Sequence, residues 1–224
     1  MSPFLRASYT IAAKDLRSEM RTKEAFNASF AFSLVILVLF SFAFDPSSEE
    51  LRTISGGLLW LVYSFAGALV LNRSFARELQ NDCLDALIAS PVSSAALFIG
   101  KAFANFALLF AVELVSLPVF VLFYNVPFGS AQFGPMLMVM VLGTWALTVI
   151  GTLFSALTVN LRLRELMLPT LVYPMMIPAL ISAMTITTNV LASNPAGFGL
   201  RFLIGFDIIF TLLAVVFVDT VLVG

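Results

Sequence analysis

The chain contains no histidine and a single cysteine, Cys83, in 224 residues. Without histidine, Ser-His and Cys-His catalysis are excluded, and a lone cysteine forms neither an intramolecular disulfide nor a cysteine-based metal cage. The sequence also lacks a GxxxxGK[ST] phosphate loop, an HExxH run and a C-x-x-C-H run. Phosphate-loop nucleotide hydrolysis, zinc hydrolase chemistry and covalent haem attachment are therefore not written in it. Charge is scarce: charged residues make up 11% of the chain, with a formal net charge of -1. There is no basic patch for a nucleic acid.

What the chain has is apolar length. It is 60% hydrophobic with a mean hydropathy of +1.02, beyond the range of a water-soluble globule. The expected fold is an all-α polytopic membrane protein, a single transmembrane domain over 1–224. In 3–24 the apolar residues Leu5, Tyr9, Ala12, Leu16 and Met20 recur every three or four positions among Arg6, Lys14, Arg17 and Arg21, the pattern of a helix lying at the membrane surface. Lys14, Asp15, Arg17 and Glu19 stand where a signal peptide would carry its apolar core, so no cleaved leader is expected. Six spans are read at about 26–44, 54–71, 92–124, 135–160, 166–188 and 201–222, each long enough for a hydrocarbon core of roughly 30 Å. Gly56, Gly57, Ser64, Gly67, Gly143, Gly151 and Ser155 are small residues at which helices can approach closely.

Orientation follows from the cations. With the N-terminus in the cytoplasm, the inner segments hold Arg6, Lys14, Arg17, Arg21, Lys23, Arg73, Arg77, Lys101, Arg162 and Arg164, ten of the 12. Arg52 and Arg201 remain outside. Both termini are then cytoplasmic.

The longest polar interruption, Asn72 to Lys101, organises the rest. Phe75, Leu79, Cys83 and Leu87, with Leu84 and Ile88, form an apolar stripe, while Arg77, Glu78, Asn81, Asp82 and Asp85 cover the remainder of the wheel. The spacing predicts an amphipathic cytoplasmic helix over 74–90, with Ser90-Pro91 stopping it and capping the next helix. Such a helix either couples a soluble partner to the membrane or floats its apolar face among headgroups. Cys83 reads as a small packing residue on that stripe.

Three further features could carry function. Glu113 lies deep in the third span with no basic residue at similar depth, and an ionisable group there points to a role or a specific partner, such as Asn105 on the same helix. Asp207 lies early in the sixth span, close enough to the outer surface to pair with Arg201 or to reach water. In the fifth span, Pro169, Pro174 and Pro178 each remove a backbone donor, so this helix is expected to bend or break and is the candidate hinge; proline-bent spans are also common without function.

The run Arg77-Glu78-Leu79-Gln80-Asn81-Asp82-Cys83-Leu84-Asp85-Ala86-Leu87-Ile88-Ala89-Ser90-Pro91, followed by Lys101-Ala102, resembles a leucine-rich, serine-proline loop of the haem exporter protein B permeases of the cytochrome c maturation system. Leu168-Pro169 through Tyr173-Pro174-Met175-Met176-Ile177-Pro178 is similar to the proline-rich helix of that family, and Lys14-Asp15-Leu16-Arg17 and Glu24-Ala25-Phe26-Asn27 fit its start. The match departs at Asn81-Asp82-Cys83, where the family pattern has an acidic-aspartate-glycine turn. The resemblance implies six spans of ABC-2 exporter type and a non-catalytic subunit that docks a separate ATP-binding subunit. It also implies a haem-handling membrane protein, a periplasmic haem chaperone and a second copy of the chain as partners. ATP would be bound on the partner, its hydrolysis coupled to haem delivery or export or to release of the haem-loaded periplasmic chaperone, and haem handled by the complex rather than held here. The lack of histidine agrees, because the usual protein ligand of haem iron is missing. Contact with the ATP-binding subunit is then expected at Arg77, Glu78, Asp82 and Asp85, with Leu79, Leu84 and Leu87 as anchors. The alternative is a proton-coupled secondary carrier using Glu113 and Asp207; an intramembrane hydrolase would need a motif around those acids that is not there.

Overall fold

A computed structural model of the chain describes residues 2–45, 48–75, 79, 92–126, 128–159, 161, 163–195 and 197–223. Among the described residues there are seven long helices: α1 (Pro3–Thr22), α2 (Glu24–Ala43), α3 (Glu49–Leu71), α4 (Ser94–Phe123), α5 (Ser130–Thr158), α6 (Arg164–Leu191) and α7 (Gly197–Val223). The last six are long and apolar enough to cross a membrane, and the chain is a multi-pass membrane protein.

Polar residues mark where these helices begin. Ser2 caps α1, accepting the Leu5 N–H at 3.4 Å, with Pro3 at the first helical position. Lys23 alone separates α1 from α2, in a left-handed conformation at φ 55°. This tight corner brings Glu19, buried on α1, to the start of α2. There its Oε1 accepts the Ala25 and Phe26 N–H groups at 2.7 and 3.1 Å, placing an anion on donors that have no helical partner. Ser48 caps α3 through the Leu51 N–H at 3.2 Å.

Four expectations change. The cap of α4 is Ser93, whose Oγ accepts the Ala96 N–H at 3.3 Å; a helix starting at Ser94 puts the cap three residues beyond Ser90, which with Pro91 lies outside the described residues. The second span starts at Glu49 rather than 54, because Ser48 supplies the cap. The proline-bearing span does not break: α6 is continuously helical through Pro169, Pro174 and Pro178. Each proline removes one donor but holds a φ that a helix accepts, and a buried stripe at Leu168, Val172, Met176, Ala179, Ala183, Ile186 and Val190 packs the helix on its neighbours over the whole length. On α1 the packed side is Ser8, Ile11 and Glu19, whereas Leu5, Tyr9 and Met20 of the expected apolar stripe stay exposed, as suits a helix facing a membrane surface.

The centre of the bundle is α3 and α5, each 61% buried over its most apolar window against 28–33% for the other four spans. Gly143 of α5 faces the Trp60 ring of α3 so closely that any side chain would displace it. The same indole donates from Nε1 to Thr187 Oγ1 of α6 at 2.9 Å, and Trp145 donates to Thr211 Oγ1 of α7 at 3.0 Å. At the other side of the fold Gly100 of α4 lies under Ser8 and Ile11, which seats α1 on the first turns of α4.

Candidate functional site

Two buried polar regions stand out in an otherwise apolar bundle. The first lies at the end of the bundle that carries α1, where α3 ends and the chain runs on into the 76–91 segment. Lys101, on the second turn of α4, is 1% exposed. Its ammonium meets Asp15 Oδ2 of α1 at 3.1 Å, donates to the Ser74 carbonyl at 2.7 Å, and sits 4.7 Å from the Phe75 ring centroid. One turn further along α4, Asn105 donates to Ser74 Oγ and to Thr152 Oγ1 of α5, both at 2.9 Å. Ser155 of α5 donates to the Leu71 carbonyl at 2.8 Å. The last described residues before the segment are therefore held by α1, α4 and α5 together. An exposed pair, Arg73 with Glu24 at 2.8 Å, adds α2.

The desolvated ammonium explains why these residue types gather. A buried cation is tolerated only with an anion and further acceptors, and here a carboxylate, a carbonyl and a ring face supply them. The sequence shows Lys101 as part of a motif in turns that stand in the cytoplasm or tilt, and does not show Asp15 and Ser74 as its partners or Thr152 as the partner of Asn105. The available signal was a lysine seven residues into an apolar helix, which demands a buried anion somewhere.

The second region is deeper. Glu113 of α4 is fully buried, and its Oε2 accepts the Thr144 hydroxyl of α5 at 2.6 Å. Its Oε1 has no hydrogen-bond partner among the described residues. Tyr63 of α3 donates to the Glu113 carbonyl at 3.3 Å, and Ser116 donates to the same carbonyl at 3.1 Å. A hydrogen-bonded neighbour is found, but it is Thr144 and not Asn105, the example on the same helix. Eight residues along a helix is about 12 Å, too far for a side-chain contact, and Asn105 is engaged at the other region. Asp207 does not pair with Arg201: both its carboxylate oxygens are buried without a partner among the described residues, while Arg201 is exposed. Six residues place the two about 120° apart around α7 and roughly 9 Å apart along it. Glu113 and Asp207 are not joined by any described hydrogen bond.

Of the residues expected to touch an ATP-binding subunit, Arg77, Glu78, Asp82, Leu84, Asp85 and Leu87 lie outside the described residues. Leu79 is described: its N–H donates to the Phe75 carbonyl at 3.3 Å and its side chain is exposed. Pro174 and Pro178 stand on the outward side of α6, and Pro169 is half-buried. At the end away from α1, a cavity of about 350 Å³ is lined by Arg52, Ser55, Tyr124 and Thr188 among others. Tyr124, just past the end of α4, donates to the Leu37 carbonyl at 3.2 Å.

A helical bundle of six spans, with a surface helix clamped to the root of a polar segment, defines an all-α multi-pass membrane protein whose polar organisation is concentrated where that segment leaves. Within that class the sequence is specific: the chain belongs to the CcmB protein family, which it matches over residues 6–222. It is 33% identical to heme exporter protein B of Rhodobacter capsulatus over 171 residues, 76% of this chain and 78% of that protein. Heme exporter protein B of Paracoccus denitrificans is 34% identical over 169 residues, 75% and 76% of the two chains. That of Bradyrhizobium diazoefficiens is 28% identical over 198 residues, 88% of each.

Proposed function

We propose that this chain is the membrane permease subunit of an ABC transporter complex of exporter type in cytochrome c biogenesis. Membership of the CcmB protein family over nearly the whole chain is the observation that carries this reading. Relatives named heme exporter protein B support a transport role. The sequence contains no phosphate loop, so ATP is bound and hydrolysed by a separate ATP-binding subunit. That subunit docks on the 76–91 segment through Arg77, Glu78, Asp82 and Asp85, with Leu79, Leu84 and Leu87 as apolar anchors. The chain lies in the inner membrane with both termini cytoplasmic, as its cation distribution favours. Haem is the substrate of the complex. A haem-handling membrane protein, a periplasmic haem chaperone and a second copy of the chain complete the assembly.

Work done on the partner reaches the membrane as displacement of the segment's root. The grip of Lys101 and Asn105 on Ser74 supports this, because a push on the segment acts directly on α4 and α5. The proline-bearing helix α6 is the candidate hinge, bending at Pro169, Pro174 and Pro178 without a preformed break. The test is purification of the tagged chain in mild detergent, with mass spectrometry of its partners and an ATPase assay of the product. Co-purification of an ATP-binding subunit with ATPase activity is the expected result. A chain that purifies alone and takes up solute in liposomes along a proton gradient would replace this reading by the proton-coupled carrier, for which Glu113 and Asp207 are the only deeply buried acids in α4 and α7 among the described residues.

A further inference from the structure

The polar cluster at the α1 end joins pieces of chain far apart in sequence, and its strengths are unequal. Asp15 and Lys101 are 86 residues apart, and Lys101 and Ser74 are 27 apart. The ammonium is closed to water at 1% exposure, so it cannot exchange the Ser74 carbonyl or the Asp15 carboxylate for solvent. Asn105 grips the side chain of the same Ser74 whose carbonyl Lys101 holds. Gly100, beside Lys101, has no room for a side chain beneath the Ser8 carbonyl and Ile11, so α1 and the head of α4 are in backbone-close contact. By contrast, the tie from this root to α2 is a solvent-exposed pair, Arg73 with Glu24, of the kind that contributes little. Among the described residues α1 packs on α4 and not appreciably on α6.

We propose that Lys101 is the joint that makes α1, the head of α4 and the root of the 76–91 segment one moving body, with Asp15 and Asn105 as its positioning residues. This rests on the reading that an ATP-binding subunit works on that segment. The surface helix then has a mechanical task. It is a lever lying along the membrane, carried by the segment through Lys101, and its exposed Leu5, Tyr9 and Met20 move against the lipid while α6 stays behind. The joint is a charge-assisted clamp rather than a greasy contact. A buried ion pair with a shared carbonyl has one favourable geometry and transmits force in it, whereas apolar surfaces slide.

The test uses the full complex with its ATP-binding subunit in lipid nanodiscs, carrying Cys83→Ser and pairs of spin labels. One pair joins Met20→Cys on α1 to Gln80→Cys in the segment; the other joins Gln80→Cys to Leu163→Cys at the start of α6. Distances are read without nucleotide and with ATP and vanadate. The segment-to-α6 distance is expected to shift on nucleotide binding while the α1-to-segment distance holds. Lys101→Met and Asp15→Asn should broaden the α1-to-segment distribution and lower the cytochrome c formed per ATP hydrolysed about tenfold, with the ATPase of the complex retained. Asp15→Asn keeps the size of the side chain and an acceptor oxygen, so it carries the test even if Lys101→Met does not accumulate. An α1-to-segment distance that shifts as far as the segment-to-α6 distance in the unmodified chain would overturn the joint and leave the coupling reading standing. Unbroadened distances and unchanged yield per ATP in both variants would do the same. Absence of a bound ATP-binding subunit, with no nucleotide response in either pair, would instead remove the coupling reading and the joint with it.

Discussion

The two buried polar regions of this bundle use the same kind of residue to opposite ends. At the α1 end a lysine and an aspartate from different helices meet, with a carbonyl, an amide and a ring around them. Deeper in the bundle Glu113 has one hydroxyl on one oxygen and nothing described on the other, and Asp207 has neither. The first region fixes a geometry because the ammonium is closed to water and held by a carboxylate and a carbonyl at once, although Asp15 itself stays partly exposed. The second has no cation to work against among the described residues, so Glu113 contributes a hydrogen bond between α4 and α5. A membrane protein driven through the 76–91 segment needs the first kind of site and can dispense with the second; a proton-coupled carrier needs the reverse.

Substitutions can break this contrast in order of size. Lys101→Met leaves the Ser74 carbonyl without its donor and Asp15 with only its exposed neighbour Lys14 at 3.1 Å, and the thermal unfolding midpoint in detergent should fall by the equivalent of about 3 kcal/mol. Gly143→Val puts branches against the Trp60 ring, with an expected loss of about 2 kcal/mol by the same measurement, because the centre of the bundle is held by close approach and not by charge. Glu113→Leu removes the acceptor of Thr144 and should cost about 1 kcal/mol, whereas Glu113→Gln keeps an acceptor and should cost less than that. Arg73→Ala, at the exposed pair with Glu24, should change stability by no more than about 0.5 kcal/mol, and that small difference should vanish in high salt. Equal effects of Lys101→Met and Arg73→Ala would dissolve the distinction between a structural clamp and a surface pair.

Hydropathy made the six long apolar helices legible in the sequence, because each span needs about 20 apolar residues and shows them, and periodicity did the same for the helix α1. Small residues also told where helices meet: Gly143 under Trp60 is the clearest case. Partners were legible only where they were local. Glu113 was matched to Asn105 because both lie on α4, yet its partner Thr144 is 31 residues away on α5, a contact that only helix packing decides. Asp207 was matched to Arg201 for the same reason, and the helical wheel separates them. The three prolines of α6 pointed to a bend or a break because proline is costly in an isolated helix; the break is absent, since a continuous buried stripe outweighs three lost donors. Glu19 gave no sign of its role: its capping of α2 depends on the left-handed corner at Lys23, a residue with no sequence bias for that conformation.

The most direct test of the account is complementation of a strain lacking its own copy of this gene, with c-type cytochrome formation and membrane level of the protein measured side by side for Leu84→Asp and Glu113→Gln. The account predicts that Leu84→Asp inserts at the unmodified level but forms no c-type cytochrome, because a charge in the apolar stripe prevents docking of the ATP-binding subunit, and that Glu113→Gln restores formation. Normal cytochrome formation with Leu84→Asp, together with its loss in Glu113→Gln, would contradict the account and move the working part of this protein from the 76–91 segment to the middle of the membrane.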